Sequence, residues 1–147
     1  MDKEKTIEAI VNAKKAHENQ MKKIVALLNG KKVENPTAAL KTECDFGKWL
    51  YDDNNNLESI LGNLFYNKLE TLHAKWHIEY MSVFEIFFKP KKKGFFSKAF
   101  GNDKIDAMDL DKAKLYYSEL EDTTNELLKI IASSQRRIEA LREEKFL

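Results

Sequence analysis

The feature that most constrains this chain is an uninterrupted apolar repeat in its last third. Side chains suited to a protein core recur at alternating steps of three and four residues, which is typical of helices that pack in a bundle or a coiled coil. The repeat comprises Leu110, Ala113, Tyr117, Leu120, Thr124, Leu127, Ile131, Ser134, Ile138 and Leu141. It predicts one long helix over residues 106–145 that must pack against other helices.

The N-terminal part of the chain carries helical periodicity as well. Over residues 5–29, Ile10 and Ile24 belong to an apolar stripe with three- and four-residue steps, and His17 falls on the same stripe. Gly30 follows directly and is a typical helix stop. The pattern predicts an amphipathic helix that turns the His17 imidazole inwards.

Residues 56–88 form a further predicted helix, with Gly62 loosening its early turns. One broad face is apolar and comprises Leu57, Leu61, Leu64, Leu72, Trp76, Tyr80, Phe84 and Phe87. His73 and His77 are four residues apart within this helix. They therefore lie on one side of the helix, about one turn apart.

Between these helices, residues 35–51 predict a shorter one that carries Cys44. Asn35 suits an N-cap, and Pro36 suits the first helical position because its missing N–H is not needed there. No strand-like alternation is found anywhere in the sequence. We therefore predict an all-α fold, an antiparallel four-helix bundle with an additional short helix that carries the cysteine.

The bulk properties place this bundle in a single cytoplasmic domain. A chain of 147 residues suits one domain, residues 1–147, with a core of its own. The formal net charge of +1 gives no basis for nucleic-acid binding, and one cysteine excludes an internal disulfide. Neither a secretory signal nor an apolar run long enough to span a bilayer is evident.

Residues 89–105 interrupt the helical pattern and form a basic–aromatic linker. Its lysines are interleaved with Phe95, Phe96 and Phe100. Such segments bind anionic membrane surfaces or partner proteins, so membrane-surface contact through residues 89–100 is one interpretation. We favour the other interpretation, a solvated loop whose phenylalanines tuck under the bundle.

The candidate chemistry lies in the histidines and the cysteine. The three histidines and the single cysteine of the chain are His17, Cys44, His73 and His77. Imidazole nitrogen and thiolate sulfur bind Zn²⁺ tightly, and four such ligands close a tetrahedral site. A histidine pair at this spacing is weak evidence alone, because histidines on apolar faces are more often core residues satisfied by a hydrogen bond.

The surroundings of Cys44 make the pattern more specific. Cys44 lies in the string TECDFGKWL, residues 42–50. This string resembles the C-x-[Leu/Phe]-G-x-W signature of the chemoreceptor zinc-binding domain family, with Gly47 and Trp49 at the matching places. The order of the histidines around it is also similar to that family, and the resemblance covers residues 7–88. We interpret Gly47 as permitting a close approach and Trp49 as filling core volume.

The resemblance implies a buried tetrahedral Zn²⁺ site with His17, Cys44, His73 and His77 as ligands. Four protein ligands leave no open position for a substrate, and no histidine remains as a general base, so we predict that the chain is not an enzyme. A di-iron site would need Glu-x-x-His pairs on two helices. Glu70 and His73 form one such pair, and no second pair is found.

Two functions remain open for such a site. The resemblance implies a bacterial module for chemotaxis or related signal transduction that senses zinc, or oxidants such as hypochlorous acid at a redox-reactive Cys44. The alternative is a non-enzymatic helical adaptor in which the zinc is purely structural. As a free-standing copy, a sensor would act through a protein partner such as a chemoreceptor or a diguanylate cyclase. We also expect a homodimer, built on faces other than the closing face of the last helix.

Overall fold

The computed structural model describes residues 1–34, 36–88 and 105–146, which contain helices and no strand. The predicted all-α bundle is therefore confirmed. The α-helices are α1 (Lys3–Leu28), α2 (Asp45–Leu50), α3 (Leu57–Leu61), α4 (Asn63–Phe88) and α5 (Ala107–Ala140). Short 3₁₀ turns span Asp53–Asn55 and Glu143–Phe146.

Helix α1 begins and ends at residues whose chemistry explains both boundaries. The Asp2 carboxylate accepts a hydrogen bond of 2.8 Å from the Lys5 backbone N–H, which satisfies one of the unpaired donors of the first turn. At the other end Gly30 has a φ of 79°. This left-handed residue lets the Lys31 N–H bond the Ala26 carbonyl at 2.9 Å, the closing bond of a Schellman motif. The helix stop predicted at Gly30 is confirmed.

Helix α5 packs against both α1 and α4 and closes the bundle. Most of the predicted repeat is buried there, namely Ala113, Leu120, Thr124, Leu127, Ile131, Ser134 and Ile138. Each fully buried leucine or isoleucine contributes roughly 1.5–3 kcal/mol of transfer free energy. The apolar face of α5 thus packs against other helices of the same chain, as predicted.

The helix predicted over residues 56–88 is divided in two. Gly62 has a φ of 81° and separates α3 from α4. The break shifts the helical phase, so Leu64, which was predicted on the buried face, is 66 % exposed. Leu69 and Val83 are buried in its place.

The second predicted helix is also shorter than expected. Residues 36–44 are not helical, and α2 begins only at Asp45. Cys44 is consequently the N-cap of α2 and not a residue of its interior. The predicted N-cap Asn35 lies outside the described residues. The correction matters because an N-cap side chain points back at the helix terminus, where its sulfur meets backbone N–H groups.

The last helix ends earlier than predicted, at Ala140 instead of residue 145. The Lys3 ammonium donates to the carbonyls of Glu139 and Leu141 at 2.8 and 2.7 Å, so a residue of α1 satisfies acceptors at the end of α5. The predicted basic–aromatic linker lies almost wholly outside the described residues. Among the residues that are described, no helix is both long and apolar enough to cross a membrane.

Candidate metal centre

His17 and His77 are buried imidazoles with one nitrogen bonded and one unpaired. His17 is 2 % exposed, and its Nδ1 lies 2.7 Å from the Ala13 carbonyl. His77 is 3 % exposed, and its Nδ1 lies 3.0 Å from the Ala39 carbonyl. Since a carbonyl only accepts, each Nδ1 carries the proton and each Nε2 keeps its lone pair. Both Nε2 atoms are buried without a hydrogen-bond partner.

His73 joins these two rings from the next turn of α4. Its side chain is fully buried, and its ring centroid lies 5.5 Å from that of His17 and 4.6 Å from that of His77. One ligand atom from each histidine falls within 4.8 Å of the others. The structure therefore brings together the three histidines that the sequence predicted as ligands, from α1 and α4.

The Cys44 sulfur meets this group through His73. Its Sγ lies 3.4 Å from His73 Nε2. Two ligands of one tetrahedral zinc, with Zn–S near 2.3 Å and Zn–N near 2.0–2.1 Å, are separated by about 3.6 Å. The Cys44–His73 distance fits such a pair. The histidine group is wider than a closed site, so its rings must move inwards to share one ion.

Local backbone geometry holds the Cys44 sulfur at the start of α2. The Gly47 N–H donates to Sγ at 3.2 Å, and Sγ also lies 3.6 Å from the Lys41 carbonyl. A Cβ on residue 47 would lie 1.6 Å from the Lys41 oxygen, so only glycine fits. The predicted close approach at Gly47 is present, and its neighbour is the backbone that leads into Cys44.

Burial sets the protonation of the four side chains. Desolvation lowers the pKa of His17 to about 4 and that of His73 to about 2, with neighbouring histidines adding to both shifts. Burial also lowers the pKa of His77. It raises the pKa of the Cys44 thiol, against the opposing hydrogen bond from Gly47. At neutral pH the imidazoles are thus neutral, as metal binding requires, and the thiolate needs a nearby cation.

A set of partly buried hydrogen bonds positions His77 from outside the histidine group. The Thr37 N–H donates to Gln20 Oε1, and Tyr80 Oη donates to the Thr37 carbonyl, both at 2.7 Å. The side chains of Gln20 and Tyr80 thus anchor the non-helical segment of residues 36–44. The Ala39 carbonyl in this segment fixes the tautomer of His77. Partners of this kind orient metal ligands and typically change affinity by about 10–100-fold when removed. Sequence reasoning placed Tyr80 on the inward face but not as a hydrogen-bond anchor, and it missed Gln20, which lies three residues after His17.

Glu70 does not act as a carboxylate ligand in this geometry. Its two oxygens are occupied by the Lys41 ammonium, at 2.8 Å, and by the Tyr51 hydroxyl. Glu70 is not part of the histidine group that could hold a metal ion. Glu70 therefore ties the Cys44 segment to α4, and the Glu70–His73 pair gives no support to a di-iron centre.

Two tryptophans have different places around the site. Trp76 is fully buried, with its ring 4.7 Å from His17 and 4.9 Å from His77, and it donates to Thr124 of α5 at 2.9 Å. Trp49, which was predicted to fill the core, packs against it only half-buried. Trp76 is thus the tryptophan that links the ligands to α5.

A cleft reaches the site from the side of residues 36–46. It has a volume of about 260 Å³ and is lined by His17 and Cys44 together with exposed Glu43 and Asp45. Because the two carboxylate residues are exposed, the cleft opens to solvent. Cys44 is consequently buried but borders a cleft that is open to solvent.

Comparison with known proteins gives one match. The model of the family described as chemoreceptor zinc-binding domain matches residues 17–83. The matched segment begins at His17 and includes Cys44, His73 and His77. The resemblance predicted from the ligand pattern is confirmed over this segment. Searches among curated proteins and solved structures gave no match.

Proposed function

We propose, from the match of residues 17–83 to the chemoreceptor zinc-binding domain family, that this chain is a zinc-binding regulatory module. The observation that carries the proposal is the convergence of three buried imidazoles, two with an unpaired Nε2, next to the Cys44 sulfur. In this proposal His17, Cys44, His73 and His77 are the ligands. No residue is assigned a catalytic role, since four protein ligands fill a tetrahedral site.

The unpaired nitrogens favour a metal over an ordinary histidine core. A buried polar atom without a partner costs about 1–3 kcal/mol, and here His17 and His77 each carry one. A bound cation satisfies both lone pairs and balances the charge of the Cys44 thiolate. It also joins α1, α4 and the start of α2, so part of its binding free energy stabilises the fold.

The proposed sensing step takes place at the Cys44 sulfur. Cys44 would supply the thiolate, which a bound cation would keep deprotonated: in its reaction with hypochlorous acid the sulfur would be oxidised by two electrons to sulfenic acid, and chloride would leave. The same sulfur accepts the Gly47 N–H and caps α2. Oxidation, or loss of zinc, would therefore change the cap of α2 and its contact with α1.

The alternative is that the zinc is purely structural. This alternative is favoured by the burial of Cys44, which is only 7 % exposed. The cleft that reaches the sulfur favours sensing, because a small oxidant can enter it. We infer sensing as the better-supported function, with output through a protein partner such as a chemoreceptor or a diguanylate cyclase, or through a homodimer. Exposed Ile78 and Leu115, at 72 % and 60 %, offer apolar contacts for such an assembly.

Metal content tests the site. Protein purified without added metal should contain one zinc per chain, and Cys44→Ala or His77→Ala should lower zinc affinity by more than about 100-fold, beyond the effect of losing an outer partner. Glu58→Ala, at an exposed residue of α3, is the control. Stoichiometric zinc retained by both ligand variants would show that the site assignment is wrong.

An oxidation experiment distinguishes the sensing function from a purely structural role of the zinc. Sub-stoichiometric hypochlorous acid is added to the zinc form and to the same protein after chelation. Mass spectrometry should find sulfenic acid on Cys44 mainly in the zinc form, and amide hydrogen exchange should speed up in residues 45–50. An unreactive Cys44, or oxidation without faster exchange, would favour the structural alternative.

A further inference from the structure

The cleft beside the ligands has acidic side chains at its mouth and ligand side chains on its wall. Glu43 and Asp45 flank Cys44 in sequence and are both exposed. Cys44 and His17 form part of the inner wall. His73 and His77 do not line the cleft.

We propose that this cleft is the entry and exit route of the divalent cation, and that Glu43 and Asp45 are transient ligands that exchange it with Cys44 and His17. The inference rests on the proposed zinc site and concerns how that site is filled and emptied. It adds two metal-binding residues to the four that hold the ion at rest.

The strongest support comes from His17. Its imidazole is 2 % exposed, its Nδ1 is bound to Ala13, and its Nε2 has no hydrogen-bond partner. It is the only one of the three histidines that lines the cleft. An ion in the cleft is therefore beside His17 and Cys44, two of the four proposed ligands.

The two carboxylates have no competing cation among the described residues. Neither Glu43 nor Asp45 takes part in an ion pair there, whereas Glu70 nearby is held by Lys41. Carboxylate oxygens bind a hydrated divalent ion readily and release it readily, which suits a transient ligand. Their charges also raise the local concentration of a cation at the mouth of the cleft.

The size of the cleft fits a cation that has kept its water. Each water occupies about 30 Å³, so an ion with six waters needs on the order of 200 Å³. The volume of about 260 Å³ accommodates it. Exchange of those waters for carboxylate, sulfur and imidazole ligands can then proceed stepwise within the cleft.

Rates of zinc uptake and release test the route. Metal-free protein is mixed with zinc in a stopped-flow instrument with a zinc indicator, and release is followed with excess chelator. The variant Glu43→Gln with Asp45→Asn should slow both rates by about tenfold at low salt, as expected for two charges near a divalent ion. Affinity should change less than threefold, because the resting ligands remain. Added salt should reduce the difference.

A matched variant controls for net charge. Asp111→Asn with Glu119→Gln removes two exposed carboxylates of α5 and should leave both rates unchanged. Glu43→Gln alone keeps the acidic first residue of α2 and should slow uptake about threefold, which guards against loss of that helix. Unchanged rates with normal zinc stoichiometry would overturn the route and leave the site intact. A wild-type chain that takes up no zinc would overturn the proposed function as well.

Discussion

Helices α1 and α4 each present two faces, one packed on α5 and one covered by residues 36–51. The face toward α5 packs against apolar side chains of that helix, such as Leu120, Leu127 and Ile131, which are all fully buried. Such apolar contacts need no further partner, because burying apolar surface is favourable by itself, although Ser134 Oγ on α5 is buried without a hydrogen-bond partner.

The face toward residues 36–51 is held differently. It contains three buried imidazoles and one thiol, and each imidazole has one nitrogen without a hydrogen-bond partner. The covering segment has only the six residues of α2 in α-helix and is anchored by side-chain bonds to Thr37 and Ala39. One face is therefore held mainly by apolar burial, and the other carries unpaired nitrogens that the proposed cation would satisfy.

The first prediction removes apolar contacts from the face toward α5. Leu127→Ala should lower the free energy of unfolding by about 3 kcal/mol, because it leaves a cavity among fully buried side chains. Zinc stoichiometry should stay at one per chain, as measured by elemental analysis of the folded variant.

Leu115→Ala is the matched control for this change. Leu115 lies on the same helix and is 60 % exposed, so its loss should cost less than about 0.5 kcal/mol. If Leu127→Ala released zinc as readily as Cys44→Ala does, the two faces would be one cooperative unit. The distinction between the face toward α5 and the face toward residues 36–51 would then be wrong.

The second prediction disturbs the face toward residues 36–51. Gly47→Ala should destabilise the zinc form by about 2 kcal/mol, because the new methyl group meets the Lys41 carbonyl. The increase in melting temperature produced by zinc should shrink, since the same shift moves the Cys44 sulfur.

Lys48→Ala, at the exposed neighbouring residue of α2, should leave the zinc-dependent increase as it is. Equal effects of the two substitutions, read by thermal unfolding with and without chelator, would mean that the Gly47–Lys41 contact is unimportant for the site.

The third prediction concerns protons and has the smallest effect. Burial raises the pKa of the Cys44 thiol, so the thiol is protonated at neutral pH and loses its proton when it binds metal. The pKa values of about 4 for His17 and about 2 for His73 leave those rings neutral already. Zinc affinity should therefore rise about tenfold per pH unit around neutrality, the slope for one released proton.

Titration calorimetry in buffers with different ionisation enthalpies measures the number of protons released. We expect one at pH 7. Release of two or more protons would show that a histidine is charged in the metal-free protein. Water would then reach the face toward residues 36–51 more readily than the burial of its side chains indicates.

The outcome for α4 shows what periodicity can predict. The four-residue spacing placed His73 and His77 on one face, and both are buried there. Periodicity failed at Leu64, because a helical wheel assumes an unbroken helix and the break at Gly62 resets the phase. The role of Gly62 depends on a positive φ that the sequence permits but does not require.

Residues 36–51 show the opposite case. The sequence singled out Cys44 and Gly47, but it predicted a helix where the chain runs without one up to Cys44. The backbone there is bound by Gln20 and Tyr80, whose partners are far away in sequence. Local propensity carries no information about such bonds, so the anchoring role of neither side chain was predicted.

The sequence by itself determined the all-α class, the inward faces of the long helices and the identity of the four side chains proposed as metal ligands. These properties follow from residue type and short-range spacing, which set which face of a helix avoids water. The tertiary structure alone decided that Cys44 caps α2, that Glu70 is held by Lys41 and Tyr51, and that a cleft leads past Glu43 and Asp45 to His17. Each of these depends on contacts between segments distant in sequence, and only the folded chain brings those segments together.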